Sequence, residues 1–357
     1  MSTADIAVVG GGIIGALVAR EAVAAFPGAD IVVLERGLIG QGASSRSAGV
    51  HFPRGATDRV RVMTSYSHRY WRDAAAELDL PLREIDATVV ASAASTRAVQ
   101  AAYPDLGEQR TAADPARGWT APPDALAWAL DGCHYADVGA VAQRILTPLR
   151  GRVAVREGSE VMAFEPGEDQ RLLLSHGAEL RARRVVLCPG PWIAHPAWAA
   201  LVAPLGVRVK KIVAAHIEAV PDADDPLAVF HDEDAFLLPL HHRGHLLFSY
   251  TCQEWDVDPD TVGPGLSQAD LDGARAVLDR YSPELASRCQ SGRVFCDAYS
   301  PQREPVITEI RRGLVFAGAA NGSGYRLAPA IAREVVAHLD PAAAPPPALH
   351  RMEQRQS

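Results

Sequence analysis

No apolar run in the 357-residue chain approaches the ~20 residues that a helix needs to cross a bilayer, so no membrane span is expected. Nor is there a secretory signal: Ile6–Val9 is too short for its apolar region and runs straight into a glycine turn, and Asp5 stands where a basic segment would be. A cytoplasmic protein is expected. An excess of positive charge is also lacking. With Lys+Arg 35 against Asp+Glu 43 and a net charge of −8, nucleic acid is a disfavoured partner, because phosphate backbones are bound by basic surfaces. The five cysteines, Cys133, Cys188, Cys252, Cys289 and Cys296, are widely spaced and form no CxxC, so neither a disulfide framework nor a zinc site is indicated. His241-His242 and His245 lie between Leu237–Leu240 and Leu246-Leu247, where a hairpin turning at Arg243-Gly244 is expected rather than a metal site.

What is present starts with Val8-Val9-Gly10-Gly11-Gly12-Ile13-Ile14-Gly15, followed by Ile31-Val32-Val33-Leu34-Glu35-Arg36. An apolar strand ends in glycines, and the Ala-, Val- and Leu-rich Ile13–Phe26 continues as a helix. Gly10 permits the tight turn, Gly12 lets a phosphate approach the backbone, and Gly15 lets helix and strand pack closely. Ile13 and Ile14 open the helix whose N-terminus faces a pyrophosphate. Glu35 ends the second strand, where a carboxylate accepts hydrogen bonds from ribose hydroxyls. The small-residue loop Gly37–Val50 follows, with Ser44, Ser45, Arg46, Ala48 and Gly49 suited to wrapping a ligand with hydroxyls and N–H groups.

The chain exceeds the size of a usual single core, so a nucleotide domain with a second domain is expected. Thr57–Leu78 has helical spacing, Thr88–Ser92 reads as a strand, and Asp105–Ala121 as a polar, Pro-containing surface region. Asp137 caps a helix over Val138–Thr147. Strands are expected at Arg152–Val155, Glu160–Phe164, Arg171–Leu174 and Arg184–Leu187, the last entering Cys188-Pro189-Gly190-Pro191-Trp192, a glycine turn with a possible helix. Leu205–Ala219, which contains Lys210-Lys211, then Leu227–Val229, Ala235–Leu240, His245–Thr251 and Arg293–Tyr299 form an antiparallel pattern, with a helix at Gln268–Arg280 capped by Ser267. Leu314–Ala317 enters a second glycine-rich loop, Gly318–Arg326, and a helix to Leu339; the Pro/Ala-rich 341–357 reads as a flexible tail.

Nucleotide elements split among the N-terminus, middle and C-terminus suit a long cofactor lying across the fold better than NAD. The last glycine turn would present a helix N-terminus to the carbonyl edge of an isoalloxazine and stabilise negative charge on the reduced ring. These segments, Gly10–Gly15, Glu35-Arg36, Ser44-Ser45-Arg46-Ser47-Ala48-Gly49, Cys188-Pro189-Gly190-Pro191-Trp192 and Gly318–Pro329, resemble the successive cofactor motifs of the D-amino-acid oxidase superfamily, which includes glycine oxidase, sarcosine oxidase and D-amino-acid dehydrogenases. The resemblance spans roughly residues 4 to 340.

It implies an α/β protein: a Rossmann-like FAD-binding domain, discontinuous over 1–85, 137–200 and 300–340, with a mainly antiparallel-sheet substrate domain over 86–136 and 201–299. Its implied cofactor contacts are Gly10, Gly12, Ile13, Ile14, Gly15, Glu35, Arg36, Ser44, Ser45, Arg46, Ala48, Gly49, Val161, Gly190, Trp192, Gly318, Asn321, Gly322, Ser323, Gly324, Tyr325 and Arg326. The implied reaction oxidises the C–N bond of a small amino acid or secondary amine by hydride transfer to flavin N5, with imine hydrolysis and oxygen or another acceptor taking the electrons. Oxidation of a 2-hydroxy acid and a catalytically silent FAD-binding subunit stay open.

On the substrate side the match is uneven. Several members of the superfamily hold the substrate carboxylate with an arginine on the strand entering the last segment, where this chain has Asp297 or, with a one-residue shift, Cys296. An acid there could hold an ammonium instead. A sarcosine-oxidase-like clamp would pair Arg54 with Arg326. Cys296 lies one residue from the position of covalent flavin attachment and reads as a buried thiol. The lysine that promotes oxygen reaction in sarcosine oxidases is replaced by Leu247. Tyr250, His51 and Tyr299 are candidate pocket residues by position.

Overall fold

In a computed structural model, residues 2–104, 106–111, 119–165, 167–263 and 265–339 are described. The apolar run before the first glycines forms the strand Ser2–Val9, which pairs in parallel with Ile31–Leu34 on one side and Glu179–Leu187 on the other. Val153–Arg156 extends the sheet beyond Ile31–Leu34, and Leu314–Gly318 extends it beyond Glu179–Leu187, again in parallel. Chain order therefore reverses on either side of Ser2–Val9. A crevice opens at such a switch point, outside the carboxyl ends of the strands.

The apolar runs fall where both faces are covered, at Ile31–Leu34, Leu314–Gly318 and the C-terminal halves of Ser2–Val9 and Glu179–Leu187, as parallel sheets require. On one face the helices Ile13–Ala25, Val138–Leu146 and Gly324–Leu339, backed by Asp58–Leu78, bury Leu17, Val18, Val141, Ile145, Ile331 and Val335 against Val8, Val33, Val186 and Val315. Each such side chain contributes roughly 1.5–3 kcal/mol of burial. The Asp137 carboxylate accepts from Ala140 N–H at 3.1 Å and starts the second of these helices as its sequence anticipates. On the other face the antiparallel strands Val161–Glu165 and Gln170–Leu174 continue the sheet, and Trp198 and Val202 cover it.

The second large sheet runs in the order Cys289–Tyr299, Arg208–Ile217, His245–Tyr250, Ala235–Leu240, Leu227–Phe230, Ala87–Ser92, Ala125–Leu130, Leu106–Thr111, antiparallel except where Leu227–Phe230 meets Ala87–Ser92. The helix Gln268–Leu278 packs on its outer face and carries the capping box Ser267/Asp270. A small sheet of Val50–His51, His134–Tyr135 and Arg83–Glu84 links the two large ones.

Two sequence expectations fail here. Leu106–Thr111 is a strand rather than a polar surface region: Ala125–Leu130 supplies its ladder across the intervening loop, and an edge position accepts its polar composition. The helix expected directly after Gly190 is deferred to Ala199–Val202, because Pro191 and Pro196 interrupt the segment. Residues 112–118 and the expected tail, 341–357, lie outside the described residues.

The first glycine turn is among the tightest points of the fold. A Cβ on Gly10, which has φ +105°, would lie 2.2 Å from the Cys188 carbonyl oxygen, and one on Gly15 would lie 1.9 Å from the Gly10 oxygen. Gly28 has φ +91° with nothing within 4 Å. Gly28→Ala is therefore expected to carry only the conformational cost, about 1–3 kcal/mol. Gly10→Ala should lose distinctly more stability, as read by melting temperature.

Candidate active site

The turn opens onto a cavity of about 1070 Å³ that runs from Gly10, Gly12 and Glu35 past Arg46 and Gly190 to Phe236, Asp297 and Arg326. Its first end is lined by the glycine turn and the start of the helix Ile13–Ala25. The helix Ile13–Ala25 has the side-chain-free Gly12 at its N-cap and no acid in its first turn, so its N-terminus suits an anion. Ser44 Oγ accepts from Ile13 N–H at 3.0 Å, tying the loop to this turn. The Glu35 carboxylate accepts from Gly11 N–H at 2.7 Å and Gly37 N–H at 2.8 Å, one bond per oxygen. Each oxygen retains acceptor capacity for a ribose hydroxyl. Arg36 stacks on Trp192 at 4.1 Å, and Asp260, from the loop after His245–Tyr250, accepts at 2.8 Å from both Arg36 Nη2 and Trp192 Nε1. This segment of the second sheet's side thus straps the rim of the first. The opposite loop is held from beneath: Arg293 donates to the carbonyls of Arg46 and Ser47 at 2.7 and 3.0 Å.

At the other end, the last glycine loop takes left-handed backbone at Ala319, Asn321 and Gly322 and then starts the helix Gly324–Leu339. Asn321 Oδ1 accepts from Ser300 N–H at 3.0 Å. Asp297 lines the cavity, with Oδ1 accepting from Ala298 N–H at 2.8 Å and Oδ2 from Gly322 N–H at 2.9 Å. Burial pushes its carboxyl up to about 6 despite those two bonds. A glycine cradle, a helix start without acids and an adjoining chamber together suit FAD, whose pyrophosphate Gly10–Gly15 would hold.

The chamber beyond collects Arg54, Arg326, Lys210 and Asp234. Arg54 Nη1 donates to Asp234 Oδ1 at 2.8 Å, and Thr251 Oγ1 donates to Asp234 Oδ2 at 2.6 Å. Burial raises the Asp234 carboxyl, but Arg54 and the Thr251 bond outweigh it and hold the group below its ordinary value. Arg326 has no such partner among the described residues: it donates to the Phe52 carbonyl at 3.4 Å and to Ser323 Oγ, and its buried Nε bonds nothing. Burial, then repulsion from Arg54, draws its guanidinium down to about 10. A buried cation without a counter-charge is costly, and this one lines the cavity.

Most of the residues named from sequence meet on this one surface; four do not take the expected place. Gly318 is buried at the end of its strand and Ser45 is exposed, donating to the Gln41 carbonyl, so neither lines the cavity. His51 is also outside it. Its cross-strand pairing with His134 places it in a buried stack, with rings 4.7 Å apart, and its Nε2 lies 3.2 Å from His68 Nδ1. Tyr250 reaches the cavity, but its hydroxyl turns away to the Asp270 carbonyl at 3.5 Å. Cys296 is buried with its thiol pushed up by burial to about 11, on the sheet face opposite Phe295 and Asp297, which line the cavity. Sequence reasoning missed Asp234, Lys210 and Trp255. Two adjacent lysines in a strand were a usable signal, since alternation must turn one of them inward.

An α/β fold with this split cradle defines a flavoprotein oxidoreductase that uses FAD. Residues 5–338 match the family described as FAD dependent oxidoreductase, to which the chain belongs. Similar folds include L-proline dehydrogenase from P. horikoshii (TM-score 0.79, 16% identity, 97% of this chain and 96% of that one). Glycine oxidase from Geobacillus kaustophilus gives 0.76, 19% identity and 95% of each chain. The Tyr258Phe mutant of NikD, an amino acid oxidase of nikkomycin biosynthesis, gives 0.79, 17%, and 96% and 95%. No curated protein sequence matches the chain. No helix among the described residues is long and apolar enough to cross a membrane.

Two outcomes follow from these contacts. Asp260→Ala should speed FAD dissociation, followed as the return of free-flavin fluorescence after dilution. An unfolded aspartate titrates near ~3.9, whereas Asp297 in the folded chain titrates at about 6. Between those values the folded state holds the extra proton, so this carboxyl makes stability fall as pH rises. Asp297→Asn should flatten that part of the stability profile, measured by denaturant midpoints at several pH values.

Proposed function

We propose that this enzyme oxidises the C–N bond of a small amino acid or secondary amine. The observation that carries this is Arg326, a buried, acid-free guanidinium beside the Arg54–Asp234 pair in the cavity. It supplies a planar, charge-assisted seat for a carboxylate. Asp234 and Asp297, which line the same cavity, favour an amine over a hydroxyl group. The glycine oxidase, proline dehydrogenase and NikD folds belong to enzymes named for amino-acid substrates, which supports the same assignment.

In this reading residues 1–85, 137–200 and 300–340 serve the cofactor, and 86–136 with 201–299 shape the substrate chamber. FAD, when bound, would supply the two-electron acceptor for the hydride. The chain's own work is placement and charge. Arg326 fixes the carboxylate, so that the carbon bearing nitrogen is oriented. Asp234 and the Thr64 hydroxyl, bonded to the Arg54 carbonyl at 3.0 Å, hold Arg54 as the second arm of the clamp. Asp297, its carboxyl pushed up to about 6 by burial, takes the proton that an ammonium must lose before its C–H bond can deliver hydride. The start of Gly324–Leu339 favours negative charge developing at its N-terminus. Phe52, Phe236 and Phe295 exclude water around the reacting carbon. The imine product is hydrolysed by water to a carbonyl compound and an amine or ammonia.

An anaerobic panel tests this directly: amino acids or secondary amines should bleach the yellow protein. Bleaching by 2-hydroxy acids alone would replace this function with C–O oxidation, and no bleaching by either would leave a silent subunit. Arg326→Met should raise the half-saturating substrate concentration roughly 10- to 100-fold, the value of a charge-assisted hydrogen bond, while retaining flavin colour. Loss of flavin instead would assign Arg326 to the cofactor.

A further inference from the structure

Lys210 and Lys211 are adjacent on Arg208–Ile217, yet their surroundings are opposite. Lys211 turns to the helix side, where Glu254 and, at 2.9 Å, Asp270 compensate its charge. Lys210 turns into the cavity, opposite Asp297 in the antiparallel register. It is buried, 4% exposed, and no carboxylate among the described residues lies within ion-pair distance of its Nζ. Instead the ammonium lies 4.9 Å from the Trp255 ring and 5.4 Å from the Tyr299 ring. Those rings are themselves fixed: they pack edge to face at 5.3 Å, and the segment around Trp255 is clipped to the strand by Asp256 N–H to the Val209 carbonyl at 2.7 Å. Aromatic faces recover part of the desolvation cost of a cation but do not cancel its charge.

The charges of the chamber do not balance. Asp234 is within electrostatic reach of Arg54, Arg326 and Lys210, and it is already committed to Arg54. Asp297 is committed to Gly322 and Ala298 N–H groups. Three cations, Arg54, Arg326 and Lys210, thus face two carboxylates, Asp234 and Asp297; the backbone N–H groups leave the Asp297 charge in place, so one positive charge is unmatched, and neither Arg326 nor Lys210 has an ion pair among the described residues. A zwitterionic monocarboxylate brings only one carboxylate and adds an ammonium.

We infer that the substrate is an amino dicarboxylic acid, with one carboxylate on Arg326 and the second received by Lys210 in its Trp255–Tyr299 seat. This rests on the assignment of Arg326 as the seat of the first carboxylate. Lys210 is then a specificity residue: it selects for a second acid and takes no part in C–N oxidation.

The test uses the FAD-loaded protein and matched pairs. Aspartate, glutamate and their N-methyl forms, in both configurations, are compared with alanine, 2-aminobutyrate and their N-methyl forms in anaerobic bleaching. Glutarate and butyrate are compared as non-reacting ligands through the perturbation of the flavin spectrum. Dicarboxylates should half-saturate at concentrations at least about 10-fold lower than their monocarboxylate partners, and glutarate should bind where butyrate does not. Lys210→Met should collapse that ratio toward one, and Lys210→Arg should retain most of it. Equal or better bleaching by monocarboxylates in the unmodified protein would overturn the inference while leaving amine oxidation standing. So would Lys210→Met changing both classes by the same factor. Absence of bleaching by every amine would overturn both, and it needs no variant to fold.

Discussion

The structure depends on one close approach of backbone to backbone. Gly15 packs against the Gly10 carbonyl and Gly10 against the Cys188 carbonyl, at separations no side chain could share. That contact locks the first helix, the first strand and the middle strand at the switch point of the sheet, and it leaves the helix N-terminus open toward the crevice. Everything downstream is built around the crevice so fixed. The loop over Ser44 closes one side by bonding the same helix start, and Arg293 carries that loop into register with the second sheet. The last strand returns beside the middle one and delivers the final glycine loop to the far end. A long cofactor site thus follows from a single packing constraint met by three passes of the chain.

The two ends of the cavity are satisfied differently. Near Glu35 and Ser44 the protein's polar groups are bonded to backbone N–H groups, which fixes their positions before any ligand arrives. Near Arg326 and Lys210 the cations are buried without acids, and only Arg54 has its counter-charge. A site that grips a constant cofactor is served by preformed geometry; a site that must discriminate among small molecules is served by charges that only the right ligand completes.

Much of the cofactor end was legible because its requirements are local. A strand, a glycine turn, a helix and an acid at the end of the next strand must appear in sequence order, and Gly10 to Glu35 show them within one unit. The helix over residues 58–78 and the capped ones at Ser267 and Asp137 were legible for the same reason. The substrate end was only half legible. Arg54 and Arg326 could be matched to a clamp, but Asp234 sits on a hairpin turn whose position against Arg54 is set by pairing of strands far apart in the chain. Lys210 was visible as half of a lysine pair, yet which half faces inward depends on register against Cys289–Tyr299. His51 and Gly318 were misplaced because proximity in sequence to a ligand-binding loop does not determine on which side of a strand a side chain falls.

The misplaced histidine shows how the chamber's charge is contained. His51 precedes Phe52, whose carbonyl accepts from Arg326, and it stacks between His134 and His68. Burial first, then His134 and Arg326, hold His51 well below its ordinary value, and burial with His68 draws His134 down to about 4. A charged ring at either position would add a cation behind Arg326 and weaken the pull on an anion from the front. Kept neutral, His51 and His134 form a rigid wall instead, with His134 Nε2 bonded to the Tyr325 hydroxyl at 3.0 Å at the start of the helix that carries Arg326. In the proposed carboxylate seat, the neutral His51 and His134 behind Arg326 therefore matter as much as the arginine itself.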